Sequence, residues 1–242
     1  MRPMPEVIVP WYGDCPHRLK ALEYVKGRYA DLGWPVTIAH GSTPWVKAEA
    51  TMPAVRASTA DVLVIADADV WTDGLPEAVR AVELGAGWAK PHKLVHRLTA
   101  ESTDRYIAGE PWEGLDLDRK SYVGIAGGGY VIAKRETLLD IPLDPRFVGW
   151  GQEDESWAIA LHLLAGMAYL GRADLIHLWH PPQPRLTDRR GSEESWLLMR
   201  RYVNARRNPE AMRDLVAEIK ETHDLEPTEP GVPDSAPRPV RG

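Results

Sequence analysis

The 242-residue sequence predicts an α/β fold with a mostly parallel central sheet flanked by helices. In the first two-thirds of the chain, short apolar runs alternate with segments of helical periodicity. EVIVP at 6–10 and VLVIA at 62–66 are apolar runs of strand length, and Leu19, Leu22 and Val25 recur at helical spacing between them. Such alternation is typical of parallel sheets, whose strands are joined by helices.

The first half of the chain reads as three strand–helix units. The pattern predicts strands at 6–10 and 35–40, a third strand from 62 that ends at the Asp pair, and helices at 17–33, 45–58 and 75–85. Gly33 is placed to end the first helix, because glycine readily adopts the left-handed conformation that follows a helix. Pro76 is placed to begin the third helix, where its missing N–H costs nothing.

The pattern weakens between Trp88 and Val131, where AGWAKPHKLVHRLT and KSYVGIAGGGYVIAK predict short strands. The second is broken by three glycines at 127–129, where the backbone must turn sharply or pass close to something. The remaining elements are predicted as a helix at 151–166, a strand at 173–182 and helices at 192–206 and 209–222. We expect one domain over 1–224 and a Pro-rich disordered tail over 225–242.

The composition excludes several classes of protein. A net charge of -6 and a pI near 5.8 argue against binding to nucleic acid through its phosphates. Cys15 is the single cysteine, so no internal disulfide forms. Since no segment has the roughly 18–20 continuous apolar residues of a membrane span, we expect a cytoplasmic protein without one.

Two carboxylates follow the third strand directly. Asp67 and Asp69 end the run VLVIADADV, and side chains two apart on a strand share one face. Hard oxygen ligands suit Mg²⁺ or Mn²⁺, so the pair predicts a site for a divalent cation. An Asp-rich turn closing the strand is the alternative, because aspartate also bonds its own backbone in turns.

Four groups of polar or aromatic residues fall at or just beyond predicted strand ends or helix starts. They are Trp11 to Asp14, the Asp67 and Asp69 pair, Gly149 to Asp154, and His177 with His180. Ligands of open α/β sheets gather outside the carboxyl ends of the strands. Together these groups predict one site.

The segment RFVGWGQEDESW (146–157), placed after IADADV (65–70) and before IHLWHPP (176–182), resembles the GT-A glycosyltransferases. The likeness is to the galactosyltransferase and N-acetylgalactosaminyltransferase families, which share a Gly-Trp-Gly-x-Glu-Asp segment. It implies the GT-A fold and transfer of a hexose, galactose or N-acetylgalactosamine, from a UDP-sugar with Mn²⁺ or Mg²⁺ on the diphosphate.

The resemblance also implies residue roles. Asp69 with His177 or His180 would bind the metal, with His177 the first choice, and Asp67 would bind the donor. Asp154 would deprotonate the acceptor hydroxyl and Glu153 would bind the acceptor. Carboxylates are also favoured in the first turn of a helix for structural reasons alone. A helix N-terminus would lower the pKa of Asp154 and weaken it as a base.

Further candidates surround these groups. The donor-binding set is completed by Pro10, Asp14, Arg18, Gly128 and Gly129, and the acceptor-binding set by Trp150 and Gly151. Lys47 and Arg97 are candidates for phosphate contact. Each has a structural alternative: a helix cap for Asp14, a solvated charge for Arg18, a core position for Trp150 and a hairpin for the glycines.

The resemblance also bears on stereochemistry. Polypeptide N-acetylgalactosaminyltransferases, which retain anomeric configuration, have Asn at the position of Asp154, so inversion is expected here. The acceptor, glycan or protein, is open. The alternatives are a nucleotidyltransferase or sugar-nucleotide pyrophosphorylase, and a non-catalytic carbohydrate-binding protein on the same fold. The first would normally have a Gly-rich basic loop after strand one, of which WYGDCPHR has little.

Overall fold

A computed structural model describes residues 4–125, 127–182 and 192–224. The predicted tail at 225–242 lies outside the described residues. The strands are β1 Glu6–Trp11, β2 Val36–His40, β3 Val62–Ala66, β4 Val70–Trp71, β5 Trp88–Arg97, β6 Tyr122–Val123, β7 Tyr130–Lys134 and β8 Tyr169–His177. The helices are α1 Pro16–Asp31, α2 Lys47–Ala57, α3 Leu75–Glu83, α4 Ala100–Ile107, α5 Arg135–Asp140, α6 Glu153–Leu164, α7 Glu193–Ala205 and α8 Pro209–Asp224.

The strands form one sheet in the order β2-β1-β3-β7-β5-β8-β4, with β6 also paired to β5. This confirms the α/β fold class, but the sheet is mixed rather than mostly parallel. β1 is parallel to β2 and β3, and β5 is parallel to β8, whereas β7, β4 and β6 pair antiparallel to their neighbours. The antiparallel partners are far apart in the chain: β3 pairs with β7, β4 with β8, and β5 with β6 and β7.

β6 and β7 lie end to end along the same side of β5. β7 pairs with Trp88 and Ala89, and β6 pairs with Leu94 and Val95. The other side of β5 is occupied by β8 over most of its length. Gly124 and Gly127 to Gly129 therefore lie between two short strands that share one side of β5, which explains why glycines occur there.

Alternate residues of the sheet face two apolar layers. Val7 and Val9 of β1 pack with residues of α1 and α3 such as Val25 and Val79. Ile8 faces the opposite layer, which α2, α6, α7 and α8 cover. The sheet is therefore packed between helices on both of its faces. Among the described residues, no helix has both the length and the apolar character needed to cross a membrane.

The third strand is shorter than predicted. β3 ends at Ala66, and the chain turns through Asp67 to Asp69 before Val70 and Trp71 form β4. β4 crosses to the far edge of the sheet and pairs with β8. The two aspartates therefore lie in a turn, where the two-residue period of a strand does not apply.

Candidate active site

The pairing of β4 with β8 brings Asp69 to the two histidines. Val70 is opposite His177, and the Leu178 N–H donates to the Asp69 carbonyl at 2.8 Å. His177 Nε2 lies 3.9 Å from Asp69 Oδ1, and His180 Nε2 lies 3.3 Å from Asp69 Oδ2. The Asp69 side chain is 7% exposed and the imidazoles are 12% and 15% exposed. Residues 69, 177 and 180 thus form one enclosed group.

Backbone carbonyls orient both imidazoles. His177 Nδ1 lies 2.8 Å from the Leu178 carbonyl, and His180 Nδ1 lies 2.7 Å from the Pro181 carbonyl. A carbonyl only accepts, so each Nδ1 carries a proton, and each Nε2 faces Asp69. Burial lowers the pKa of His177 to about 4, so this ring is neutral near pH 7. The Nε2 lone pair of neutral His177 therefore faces a carboxylate, an arrangement that suits a cation between them.

The three ligand atoms fit a divalent ion. They lie within 4.8 Å of one another, and they are the one such group of histidine, cysteine and acidic side chains in the described residues. Neighbouring ligands of an octahedral ion with bonds of about 2.1 Å are separated by about 3 Å. Carboxylate ligands suit Mg²⁺ and Mn²⁺, and imidazole is a ligand for divalent transition metals. Asp69, His177 and His180 can therefore hold the metal together.

Asp67 points elsewhere. Its carboxylate Oδ1 accepts from Lys47 Nζ at 3.0 Å, and its backbone N–H donates to the Gly129 carbonyl at 2.9 Å. The expectation that Asp67 and Asp69 approach one ion from the same face is therefore corrected. The turn that follows Ala66 rotates the two side chains to different partners.

Asp154 lies in the first turn of α6 and shares its cation with Asp67. Lys47 Nζ donates to Asp154 Oδ1 at 2.7 Å. The Lys47 side chain is 9% exposed and that of Asp154 is 20% exposed. Lys47 is the first residue of α2, so three different elements place these charges together.

The two acids of α6 have different surroundings. Glu153 is buried, and its Oε2 has no hydrogen-bond partner. Burial and the charge of Asp154 raise the pKa of Glu153 well above its ordinary range. Burial also raises the pKa of Asp154, although Lys47 opposes it. The expected lowering by the helix N-terminus is therefore outweighed, which makes Asp154 a stronger base than the sequence predicted.

The glycine segment packs against the start of α6. Gly127 has a φ of +83°, and a Cβ there would meet the Asp154 carbonyl oxygen closer than real Cβ atoms approach. Gly129 has a φ of +79° and accepts from the Asp67 N–H. The segment thus spans the distance between the two acids that Lys47 joins.

Gly127→Ala is expected to slow any reaction at Asp154 by roughly 10- to 100-fold, because the new methyl displaces the backbone of the base. The measurement is turnover alongside binding of Mn²⁺ and UDP, which we expect to change less than twofold. Gly27→Ala is the matched control, since Gly27 lies in α1 with open space around its Cβ. Wild-type turnover in G127A would contradict the packing described.

Two arginines lie beside Asp69. Arg18 Nε is 3.5 Å from Asp69 Oδ2, and Arg97 is opposite His177 in the pairing of β5 with β8. Burial opposes ionisation of Asp69, but electrostatic attraction from His177, His180, Arg18 and Arg97 holds the pKa of Asp69 below its ordinary value. Pro10 is buried in β1, and Asp14 is exposed before α1. Because Arg18 lies 3.5 Å from Asp69, it is a donor-site candidate that faces the metal ligands.

Aromatic side chains flank the other end of the site. Trp150 is 45% exposed, and the adjoining Gly149 donates its N–H to the Trp45 carbonyl at 2.8 Å. The Trp45 ring stacks on Tyr12 at 6.0 Å. Gly149 and Gly151 both have positive φ angles, +85° and +110°. These contacts set the path of the loop that precedes Glu153.

Sequence reasoning missed two features of this loop and site. Gln152 adopts a φ of +76°, which is rare for a residue with a side chain, and its Oε1 is buried without a partner. Such conformations persist where the surroundings enforce them, often at functional sites. The bridging position of Lys47 was also missed. The adjoining glycines signalled an unusual backbone, but nothing local signalled the contacts of Lys47.

No protein-family model matches the chain, and no curated protein matches it. Its fold is similar to glucosyl-3-phosphoglycerate synthase from Mycobacterium tuberculosis in complex with Mn²⁺, UDP and phosphoglyceric acid, at 16% identity and a TM-score of 0.43, over 83% of this chain and 76% of that one. It is also similar to a mannosyltransferase from Pyrobaculum calidifontis in complex with GDP-Man and Mn²⁺, at 18% identity and a TM-score of 0.44, over 90% and 69%.

Proposed function

We propose that this chain is a metal-dependent glycosyltransferase of the GT-A type. It transfers a hexose from a UDP-sugar to an acceptor hydroxyl with inversion, and the resemblance favours galactose or N-acetylgalactosamine. The main support is that Asp69, His177 and His180 form a ligand group while Asp154, a carboxylate on another element, is joined to the neighbouring Asp67 by Lys47. In this proposal, Lys47 and the turn that holds Asp67 and Asp69 link the base to the metal ligands.

The leaving-group side gathers positive charge. When the bond between the sugar and a nucleoside diphosphate breaks, the electron pair leaves on a phosphate oxygen. A bound Mn²⁺ or Mg²⁺ would neutralise that charge as a Lewis acid. Arg18 lies next to Asp69 and Arg97 is opposite His177, and both are proposed to bind the phosphates by charge-assisted hydrogen bonds. Asp67, Gly128 and Gly129 are proposed to contact the donor.

The acceptor side supplies the proton acceptor. Lys47 binds Asp154 Oδ1, so Oδ2 is left for the proton of the acceptor hydroxyl. The acceptor oxygen bonds to the anomeric carbon as the phosphate bond breaks on the opposite side, which inverts the configuration. Glu153, protonated because of its burial, is proposed to donate a hydrogen bond to the acceptor. Exposed Trp150 is proposed to stack on the acceptor, with Gly151 shaping the loop beside it.

We expect UDP binding to require Mn²⁺ and to be lost when EDTA removes the metal, because a cation is needed between the Asp69 carboxylate and the phosphates, which repel each other directly. Calorimetry with UDP, with and without Mn²⁺, measures this without an acceptor. A panel of UDP-galactose, UDP-N-acetylgalactosamine, UDP-glucose and GDP-mannose, assayed for free nucleotide, then identifies the donor.

The same assays separate the alternatives. Release of pyrophosphate instead of nucleoside diphosphate would support a nucleotidyltransferase or pyrophosphorylase. UDP binding that is unaffected by Mn²⁺ and EDTA would contradict the metal site. Sugar binding without turnover for any donor, with or without a panel of glycan acceptors, would support a carbohydrate-binding protein.

A further inference from the structure

We propose that Lys47 is a positioning residue that keeps the base Asp154 ionised and links it to the donor site through Asp67. The inference rests on the proposed function for its catalytic meaning, but the contacts themselves do not depend on it. The sequence indicated Lys47 as a phosphate contact at most, and the structure gives it two carboxylate partners.

The geometry is that of a bridge. Lys47 Nζ lies 3.0 Å from Asp67 Oδ1 and 2.7 Å from Asp154 Oδ1, and its side chain is 9% exposed. Two of its three N–H donors are used, and the described part of the chain provides no partner for the third. The start of α2 fixes the lysine backbone, and the Thr51 hydroxyl donates to the Lys47 carbonyl at 2.7 Å. Lys47 is thus held between the two acids.

The charges around Asp154 require such a cation. Glu153, on the same helix, and Asp67, from the turn after β3, both present negative or ionisable oxygens to Asp154, and Lys47 is the cation that faces it. Burial alone would favour the neutral acid, which cannot accept a proton. An opposite charge at hydrogen-bond distance lowers a carboxyl pKa by about 1–3 units. Removing Lys47 would therefore raise the pKa of Asp154 further.

The shared lysine also couples the two sites. A donor that engages the Asp67 carboxylate would weaken its bond to Lys47, and the ammonium would then serve Asp154 alone. The pKa of Asp154 would then be lowest when the donor is bound. This differs from a phosphate contact, in which Lys47 would bind the donor and leave the ionisation of Asp154 unchanged.

The first test measures ionisation directly, without turnover. In protein labelled with ¹³C at the aspartate carboxyls, the Asp154 resonance is assigned by its loss in D154N and titrated by NMR in wild type and in Lys47→Gln. We expect K47Q to raise the Asp154 midpoint by one pH unit or more and Lys47→Arg to raise it less. An unchanged midpoint in K47Q would overturn the proposal.

Asp67→Asn provides a second variant if K47Q fails to fold. Removing the Asp67 carboxylate leaves Lys47 to Asp154, so the Asp154 midpoint should fall rather than rise. A rise or no change in D67N would overturn the bridge. Lys20→Gln, which breaks the exposed contact of Lys20 with Asp104 on the surface, is the matched lysine control and should leave the midpoint unchanged.

Measurements of turnover then test whether Lys47 affects catalysis through the ionisation of Asp154. In K47Q we expect the acidic limb of the pH profile of kcat to move to higher pH, with transfer at pH 7 reduced at least 10-fold and partly recovered at alkaline pH. A rise in the KM for the donor, with the acidic limb of the pH profile unchanged, would instead show that Lys47 contacts phosphate.

If wild type transfers no sugar but the NMR shifts appear, the proposed function fails and the charge bridge stands. If wild type transfers sugar and the shifts do not appear, the bridge alone fails.

Discussion

Asp154→Asn is expected to reduce sugar transfer roughly 10²–10⁴-fold, the range that general base catalysis contributes. The amide keeps the shape of the side chain and can still accept from Lys47, but it cannot take the proton of the acceptor hydroxyl. Binding of Mn²⁺ and UDP should remain within about twofold, because Asp154 lies outside the ligand group of Asp69, His177 and His180. Single-turnover transfer and calorimetry measure the two effects.

Glu155→Gln is the matched control for this variant. Glu155 is exposed in the same first turn of α6, so its loss removes a carboxylate from the helix terminus without touching the site. It should transfer sugar at the wild-type rate. Transfer at the wild-type rate by D154N would show that another group, or water, removes the proton.

Asp69→Ala is expected to weaken Mn²⁺ binding at least about 100-fold, more than the loss of an outer-shell partner would. Metal-dependent UDP binding and all transfer should disappear with it. The reason is that Asp69 is the sole carboxylate between the two imidazoles in the described ligand group, and without it positively charged Arg18 repels the metal. Manganese binding is measured by electron paramagnetic resonance, and circular dichroism checks the fold.

Asp73→Ala controls for the loss of an aspartate near β4. The Asp73 side chain is 84% exposed and accepts from Trp71 and Arg28 at the surface. Its removal should leave Mn²⁺ affinity unchanged. Wild-type Mn²⁺ affinity in D69A would mean that the ion binds at other residues, and the assignment of Asp69 would be wrong.

Much of the fold follows from local patterns. The buried runs of β1 and β3 and the periodic helices α1, α3 and α6 lie close to their predicted positions. The two-residue strand β4 and the short helices α4 and α5 are too brief for a periodicity to show. The mixed direction of the sheet depends on which strands meet in space, and no local run of residues determines that.

The site was predictable in part for the same reason. The ordered motifs gave Asp69, His177, His180 and Asp154, and the structure brings the first three together. The bridge from Lys47 to Asp154 joins residues 107 positions apart, so no spacing indicates it. The raised pKa of Asp154 likewise comes from burial by distant segments. A helix-terminus rule applied to α6 alone could not include it.

The ladder between β4 and β8 also has a consequence for how the protein is made. The three ligands come from positions 69, 177 and 180, so a nascent or truncated chain that stops before β8 contains the Asp-x-Asp pair yet offers an ion a single carboxylate from this group. All three ligands can therefore bind an ion together only after β8 has paired with β4.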